Sequence, residues 1–484
     1  MSSSGAPCDP QPLIRESLRI AGEKVPRERV IEIRHPYSGK LVGTAPKATL
    51  EDVKRALAIA RNYRSKLTRH ERFRILTATG AAVTAKREEL AALITLESGL
   101  SLKDSRYEVG RASDVLLFAA QQSLIDSAEV FSCDLTAHGK SRKVYTLREP
   151  LLGTISAITP FNHPLNQVVH KIAPAIATNN RVVLKPSEKT PLTAFAFADI
   201  LYEAGLPAEM LSVVTGDPAE IVDELLTSPH VDLVTFTGGV SIGKSVAAKA
   251  VYKRQILELG GNDPIIVLED ADLEEAAALA ARGSYQNSGQ RCTAVKRMLV
   301  QESVADRFVE LLVENTRAVR YGDPFDPSID MGTVIDEPSA RRFEAVVNEA
   351  VGGGAKLLIG NERRGALYSP TVLDRVTPDM TVVRQETFGP VSPVIRFKTV
   401  EEAIRISNRT PYGLSSSLCT NRLDLITRFV QELHVGSVNV REVPGYRLEV
   451  TPFGGIKDSG LGYKEGVLEA MKSFTHTKTY SLPW

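Results

Sequence analysis

GTISAIT at 153–159, NRVVLKP at 180–186, LSVVTG at 211–216 and DLVTFTG at 232–238 decide the fold. Each is a short, β-branched apolar run, and helical text separates one from the next. The helix at 191–204 opens on Thr190 as a cap residue and Pro191 at its first helical position. Strands alternating with helices predict an α/β fold with a parallel, doubly wound sheet. In such a sheet ligands lie at the carboxyl ends of the strands, so the residues just after each run are the first functional candidates.

Upstream, apolar residues recur three or four apart over 52–67, 70–97 and 104–126, which predicts three outer helices. From 129 to 149 short alternating runs broken by His138-Gly139-Lys140 predict a two-stranded ribbon suited to subunit contact. A second α/β unit begins near Asn262 and runs to about Gly460, with helices near 273–283, 303–319, 339–352 and 399–408. Thr399 and Glu402 form a capping-box pattern for the last of these. The tail from Tyr463 to Trp484 is apolar enough to dock.

A chain of 484 residues with 43% hydrophobic and 24% charged residues predicts two or three domains with large cores. Lys and Arg number 59 against 58 Asp and Glu, and no block of one sign stands out. Nucleic acid and anionic membranes are therefore not expected partners. No apolar run approaches the roughly 18 residues of a bilayer span, and MSSSGAPCDP lacks the order of a secretory signal, so a cytoplasmic protein is expected. Cys8, Cys133, Cys292 and Cys419 are scattered, and no histidine pair has metal-ligand spacing. Reduced thiols and no structural metal are the expectation.

One motif points elsewhere. Gly238-Gly239-Val240-Ser241-Ile242-Gly243-Lys244-Ser245 satisfies the pattern of a nucleoside triphosphate loop after a strand, and Ile265–Asp270 offers an apolar run ending in acid. A glycine turn before a helix serves a dinucleotide pyrophosphate by the same physics, and a bare tight turn is the plainest reading.

Gln286-Asn287-Ser288-Gly289-Gln290-Arg291-Cys292-Thr293 sets a thiol in polar, glycine-containing text beside a guanidinium. A neighbouring positive charge favours thiolate, the nucleophilic form. Alone, Cys292 reads as readily structural as reactive, and its partners decide. Glu258, in apolar Leu257-Glu258-Leu259-Gly260-Gly261, should have a raised pKa that suits a general base, or else it is a helix-end or salt-bridged glutamate. Asn162, in Thr159-Pro160-Phe161-Asn162-His163-Pro164, either donates to an oxyanion at Cys292 or stabilises a turn.

TPFNHP, KPSE at 185–188, FTGGVSIG at 236–243, LELGG at 257–261, GQRC at 289–292, ETFGP at 386–390 and PFGGIKDSG at 452–460 together resemble the aldehyde dehydrogenase superfamily across nearly the whole chain. The resemblance implies a Rossmann-type cofactor domain at 1–128 and 150–260, a catalytic α/β domain at 261–460, and a small β oligomerisation ribbon and tail at 129–149 and 461–484. It implies Cys292 as nucleophile, Glu258 as base and Asn162 as oxyanion donor. Lys185, Ser187 and Glu188 would hold the adenosine ribose, Gly238 and Gly239 the pyrophosphate turn, and Glu386 and Phe388 the nicotinamide end. An acidic Glu188 near the ribose favours NAD, while Lys185 leaves NADP possible. A homodimer or a homotetramer is implied, with strands exchanged through the ribbon and tail.

Three cations distinguish this text. His163 follows the oxyanion asparagine, Arg291 precedes the nucleophile, and Arg111 in Glu108-Val109-Gly110-Arg111 lies on the helix that lines the family's substrate tunnel. Converging donors would hold an anion at the far end of a short aldehyde. The bland alternative pairs Arg111 with Glu108 at the surface, leaves Arg291 to tune the thiol, and packs His163. AITPFNHPLNQVVHKIAPAIATNN, NSGQRCTAVKR and GGIKDSGLGYKEGVLEAMKSFT resemble most closely the members of the family that oxidise phosphonoacetaldehyde to phosphonoacetate in phosphonate catabolism. A carboxylated semialdehyde is the alternative substrate, and an ATPase using 238–245 the distant one.

Overall fold

The computed structural model describes residues 13–463 and 465–484, so Cys8 lies outside the described residues. Two seven-stranded sheets and a three-stranded ribbon organise the chain. Across the first sheet the strands run Arg254–Glu258, Val231–Thr237, Thr154–Ile158, Val182–Lys185, Leu211–Val213, Leu18–Ile20 and Glu23–Val25. The first five are parallel, and the two N-terminal strands extend the edge antiparallel. Thr154–Ile158 is buried at every position, as a strand covered on both faces must be. Chain order reverses between Thr154–Ile158 and Val231–Thr237, which opens a crevice at their carboxyl ends.

The second sheet runs Lys356–Ile359, Thr371–Asp374, Val391–Phe397, Arg297–Gln301, Pro264–Val267, Ser415–Cys419 and Ser437–Val440, antiparallel only at its first pair. Lys143–Pro150 pairs antiparallel with both Val130–Ser132 and the tail strand Thr475–Leu482, so the tail docks as a ribbon strand. Among the described residues no helix is long and apolar enough to cross a membrane.

Several local expectations are corrected. The periodic stretch 70–97 is two helices, Arg69–Ala85 and Arg87–Ser98, because Lys86 leaves the helical conformation at φ −92, ψ 20. The helix Leu192–Glu203 takes no cap bond from Thr190, whose hydroxyl donates to the Phe161 carbonyl. The buried Glu97 carboxylate accepts from the N–H groups of Leu192 and Thr193 instead, at 2.7 and 3.0 Å. At Val400–Asn408 only half of the box forms: Thr399 accepts from Glu402 N–H, but the Glu402 carboxylate accepts from Lys398 N–H.

The helix Asn166–Ala177 is buried at all 12 positions, with the helix Leu102–Ser123 and the C-terminal helix Val467–Ser473 packed on it. It carries His170 and Lys171 into the interior, where a buried polar group needs a partner. Lys171 Nζ finds Glu465 at 2.7 Å and the Thr235 hydroxyl at 2.9 Å. His170 Nε2 donates to Glu449 at 2.6 Å; burial lowers the imidazole pKa against the opposing pull of that carboxylate.

Candidate active site

Cys292 sits on a loop bent by three successive left-handed residues, Asn287 (φ 59), Ser288 (φ 52) and Gly289 (φ 69). Two of these are not glycine, so surrounding bonds must hold the strain. Asn287 N–H donates to Asp104 at 2.9 Å, Asn287 Nδ2 donates to the Asn162 carbonyl at 3.0 Å, and Gln290 Oε1 accepts from Ile335 N–H at 2.9 Å. A side chain at Gly289 would meet the Gly389 carbonyl at 2.4 Å, so only glycine lets the cysteine loop lie on the 386–390 loop.

Asn162 reaches this loop from the carboxyl end of Thr154–Ile158. Its Nδ2 donates to the Gln290 carbonyl at 2.8 Å, and the amide's second hydrogen remains for another acceptor. Glu258 ends the strand Arg254–Glu258 and is 4% exposed. A side chain at Gly454 would come within 2.6 Å of its carboxylate, so Gly454 leaves the carboxylate its room. Three residues after Glu258, Gly261 lies so close to Cys292 that a Cβ there would stand 2.6 Å from the cysteine carbonyl. Both candidates thus converge on the nucleophile's loop through its backbone.

Burial pushes the Cys292 thiol up to about 11, with Lys296 the strongest opposing influence. Arg291 also interacts electrostatically with the thiol, while its Nη2 donates to the Gly283 carbonyl at 2.9 Å and caps the end of the helix Leu273–Tyr285.

Arg111, His163, Arg291 and Cys292 all line one cavity of about 760 Å³. Arg111 does not pair with Glu108. Glu108 accepts from the N–H groups of Leu165 and Asn166 at 2.8 and 3.0 Å and faces His163 Nδ1 at 3.3 Å, which leaves Nε2 for the cavity. Arg111 pairs with Glu449 instead.

Two more guanidiniums of the wall are unmarked in the sequence: Arg282, paired with Glu442, and Arg447, stacked 3.8 Å over the Phe453 ring and 3.9 Å from Glu449. Burial alone would raise the Glu449 carboxyl, but His170, Arg111 and Arg447 outweigh it and hold it well below the usual range. The wall is of mixed charge: it also carries Lys103 paired with Asp330, Arg282 paired with Glu442, and the carboxyl groups of Asp104 and Glu108. Arg291 Nε and Arg447 Nη1 are buried without a hydrogen-bond partner, a cost that an anion in the cavity removes. Arg447 sits in an irregular loop, EVPGYRLEV, where no periodicity marks it.

The cofactor candidates stand at the carboxyl ends of the first sheet. Lys185 ends its strand and pairs with Glu188, while Ser187 Oγ accepts from Lys189 N–H. Gly239 is the N-cap of the helix Val240–Lys249, without a side-chain cap bond, and a Cβ built on it meets nothing within 4 Å. Thr159 and Thr237, at two neighbouring strand ends, hold buried hydroxyls with no partner. Open helix N–H groups, small residues and orphaned donors at a switch point fit a dinucleotide.

At the opposite end Glu386 accepts from Gly261 N–H at 3.1 Å, and Phe388 meets Phe161 edge-on at 5.9 Å. Lys244, the lysine of the triphosphate-loop pattern, points away to Asp458 at 2.7 Å, and Asp270 belongs to the other sheet, where it accepts from the Thr420 hydroxyl and Asn421 N–H. The two halves of an ATP site are never brought together. Cys133 lies in the ribbon, and Cys419 is buried in a strand with its thiol pushed up to about 12. Among the described residues no group of three His, Cys, Asp or Glu is placed to hold a metal ion.

Residues 23–480 match the model of the aldehyde dehydrogenase family. A 3-sulfolactaldehyde dehydrogenase of Priestia aryabhattai is 37% identical over 462 residues, 95% of this chain and 96% of the relative. An NADP-dependent glyceraldehyde-3-phosphate dehydrogenase of Bacillus halodurans, solved with NADP, superposes at a TM-score of 0.94 with 37% identity, over 97% of this chain and 99% of that one. An NAD-dependent aldehyde dehydrogenase of Sinorhizobium meliloti gives 0.92 with 34% identity, over 99% and 97%.

Proposed function

The chain belongs to the aldehyde dehydrogenase family, and from that premise we propose that it oxidises a short aldehyde with an oxyanion tail, phosphonoacetaldehyde foremost, to the acid with NAD or NADP. The observation that carries this reading is the joint lining of one cavity by Cys292, His163 and the guanidiniums of Arg111, Arg291 and Arg447, of which Arg291 and Arg447 each keep a buried N–H without a partner, while a fourth arginine of the lining, Arg282, is paired with Glu442. The relatives' names support the tail chemistry, since one substrate carries a sulfonate and the other a phosphate.

Cys292 attacks the aldehyde carbon as thiolate while Arg111, Arg291, Arg447 and His163 hold the tail. The second Asn162 hydrogen and the Cys292 backbone N–H stabilise the resulting oxyanion, a contribution of about 10²–10³ in turnover. Lys185, Ser187, Glu188, Gly238 and Gly239 would hold a nicotinamide dinucleotide, with Glu386 and Phe388 at its nicotinamide end, and that group would supply the hydride acceptor. Glu258 then takes a proton from water, which hydrolyses the thioester on Cys292 and frees the acid. Glu188 supports a preference for NAD, because its carboxylate repels a 2′-phosphate. A dimer, or a tetramer of two, is supported by the ribbon's outer strand Val130–Ser132, exposed at all three residues, and by exposed Leu135, Tyr480 and Trp484.

The test is a panel of short aldehydes with phosphonate, phosphate, sulfonate, carboxylate and neutral tails, read by reduced-nicotinamide absorbance. Phosphonoacetaldehyde should lead in kcat/KM, and neutral aldehydes should trail by about 10²-fold or more, as the loss of paired guanidinium contacts requires. Equal rates for neutral and anionic aldehydes would refute the tail assignment.

A further inference from the structure

Lys296 stands four residues after Cys292, just before the strand Arg297–Gln301, and is 2% exposed. A fully buried ammonium is costly unless several acceptors surround it. Here they come from separate segments: Nζ donates to the Cys292 carbonyl at 2.6 Å and lies 3.1 Å from Glu386 Oε1. The same Glu386 oxygen accepts from Gly261 N–H at 3.1 Å, and the Lys296 backbone N–H donates to the Asp263 carbonyl at 3.0 Å. The ammonium also lies 5.8 Å over the Phe388 ring. A Cβ at Gly260 would stand 2.1 Å from Glu386 Oε2, so the carboxylate is laid flat on a glycine and locked from the other side by the lysine.

None of the chemical steps above uses this cation, yet it ties together the cysteine loop, the 258–261 turn and the 386–390 loop. We propose that Lys296 is a positioning residue, holding Glu386 against Gly260 and Gly261 in the orientation that receives the nicotinamide end of the cofactor while its charge, next to the Cys292 backbone, assists ionisation of the thiol. The proposal rests on the reading of Cys292 as nucleophile and Glu386 as a cofactor residue. Among the charged groups acting on the thiol, Lys296, Arg447 and Arg291 favour thiolate, and Asp263 and Glu386 oppose it. Lys296 acts on both, since burial pushes Asp263 up to about 7 and Lys296 is the first influence to pull it back.

The experiment compares wild type, Lys296→Met, Lys296→Arg and Glu386→Gln by two readouts that need no turnover. These are the pH dependence of iodoacetamide alkylation of Cys292 in the cofactor-free enzyme, and calorimetric binding of NAD and NADP. Lys296→Met should slow alkylation at pH 8 about tenfold, a displacement of about one pH unit, and weaken dinucleotide binding about tenfold. Lys296→Arg should recover part of both. Glu386→Gln should weaken dinucleotide binding but speed alkylation, because removing a negative charge favours thiolate.

A wild-type alkylation profile in Lys296→Met, or a Glu386→Gln profile displaced in the same direction as that of Lys296→Met, overturns the proposal. So does a change confined to melting temperature, which would make the lysine structural only. Should Lys296→Met fail to fold, the opposite sign expected of Glu386→Gln decides alone. Failure of the parent reading looks different: Cys292→Ser would still oxidise aldehydes, whatever Lys296 does.

Discussion

The two seven-stranded sheets meet the site with opposite ends. The first offers the carboxyl ends of its strands, where Thr159 follows Thr154–Ile158, Lys185 ends Val182–Lys185, and Thr237 ends Val231–Thr237 just before Gly238. The second offers amino ends: Gly260 and Gly261 precede Pro264–Val267, Cys292 precedes Arg297–Gln301, and Glu386 and Phe388 precede Val391–Phe397. In a parallel sheet the carboxyl ends of strands feed helix N-termini, whose open N–H groups attract phosphate without any charged side chain. Amino ends receive helix C-termini, where the dipole is negative. The helix Leu273–Tyr285 ends six residues before Arg291 and exposes its last carbonyls towards the cysteine loop. An anion site there must be built from side chains, and the structure supplies Arg111, Arg291, Arg447 and His163. Burial at this end is what raises the Cys292 thiol, and Lys296 is the strongest influence against it.

That contrast can be broken at either end. The largest effect belongs to the side-chain end. Arg447→Ala removes a buried guanidinium whose loss also leaves Glu449 short of a partner. It should lower kcat/KM for phosphonoacetaldehyde by about 10²-fold, within the 2–5 kcal/mol range of such truncations. Propionaldehyde turnover and NAD affinity should stay within about threefold. Steady-state kinetics with both aldehydes make the comparison, and an equal fall for both would show that Arg447 serves the loop and not the tail.

At the backbone end the effect is smaller, because most of the affinity comes from main-chain donors. Glu188→Gln should change the ratio of NADP to NAD efficiency about tenfold in favour of NADP, with aldehyde KM unchanged; an unaltered ratio would remove Glu188 from the ribose site. Smallest of all is Lys244→Ala. Its exposed pair with Asp458 contributes about 0–1 kcal/mol, so oxidation should change less than about twofold, and added ATP should not be hydrolysed by either form. ATP hydrolysis lost with Lys244 would revive the triphosphate-loop reading.

The unequal legibility of the sequence follows from the same contrast. The four runs at 153–159, 180–186, 211–216 and 232–238 appear as strands of one sheet because each is short, apolar and followed by a turn residue, which is local information. Gly238 and Gly239 are legible for the same reason, since a glycine turn between strand and helix is contiguous text, whereas Lys185, Ser187, Glu188, Glu386 and Phe388 are implied by the family resemblance alone. The cavity is not contiguous. Arg111 was assigned to it through a family resemblance, but its true partner, Glu449, is 338 positions away and carries no periodic mark. Arg447 and Lys296 escaped notice for opposite reasons, one in an irregular loop and the other at a strand entry where lysine reads as surface. The apolar periodicity starts at Asp104, but the helix begins at Leu102 under a Ser101 cap, and the Asp104 carboxylate braces Asn287.

The most direct measurement is peptide mass spectrometry of Glu258→Gln enzyme, acid-quenched seconds after mixing with NAD and phosphonoacetaldehyde. With hydrolysis slowed, the peptide containing Cys292 should gain the mass of a phosphonoacetyl group, and Cys292→Ser should abolish both the adduct and the reduced nicotinamide. Full formation of reduced nicotinamide with no adduct on that peptide, or an adduct on Cys133 or Cys419 instead, would contradict the account.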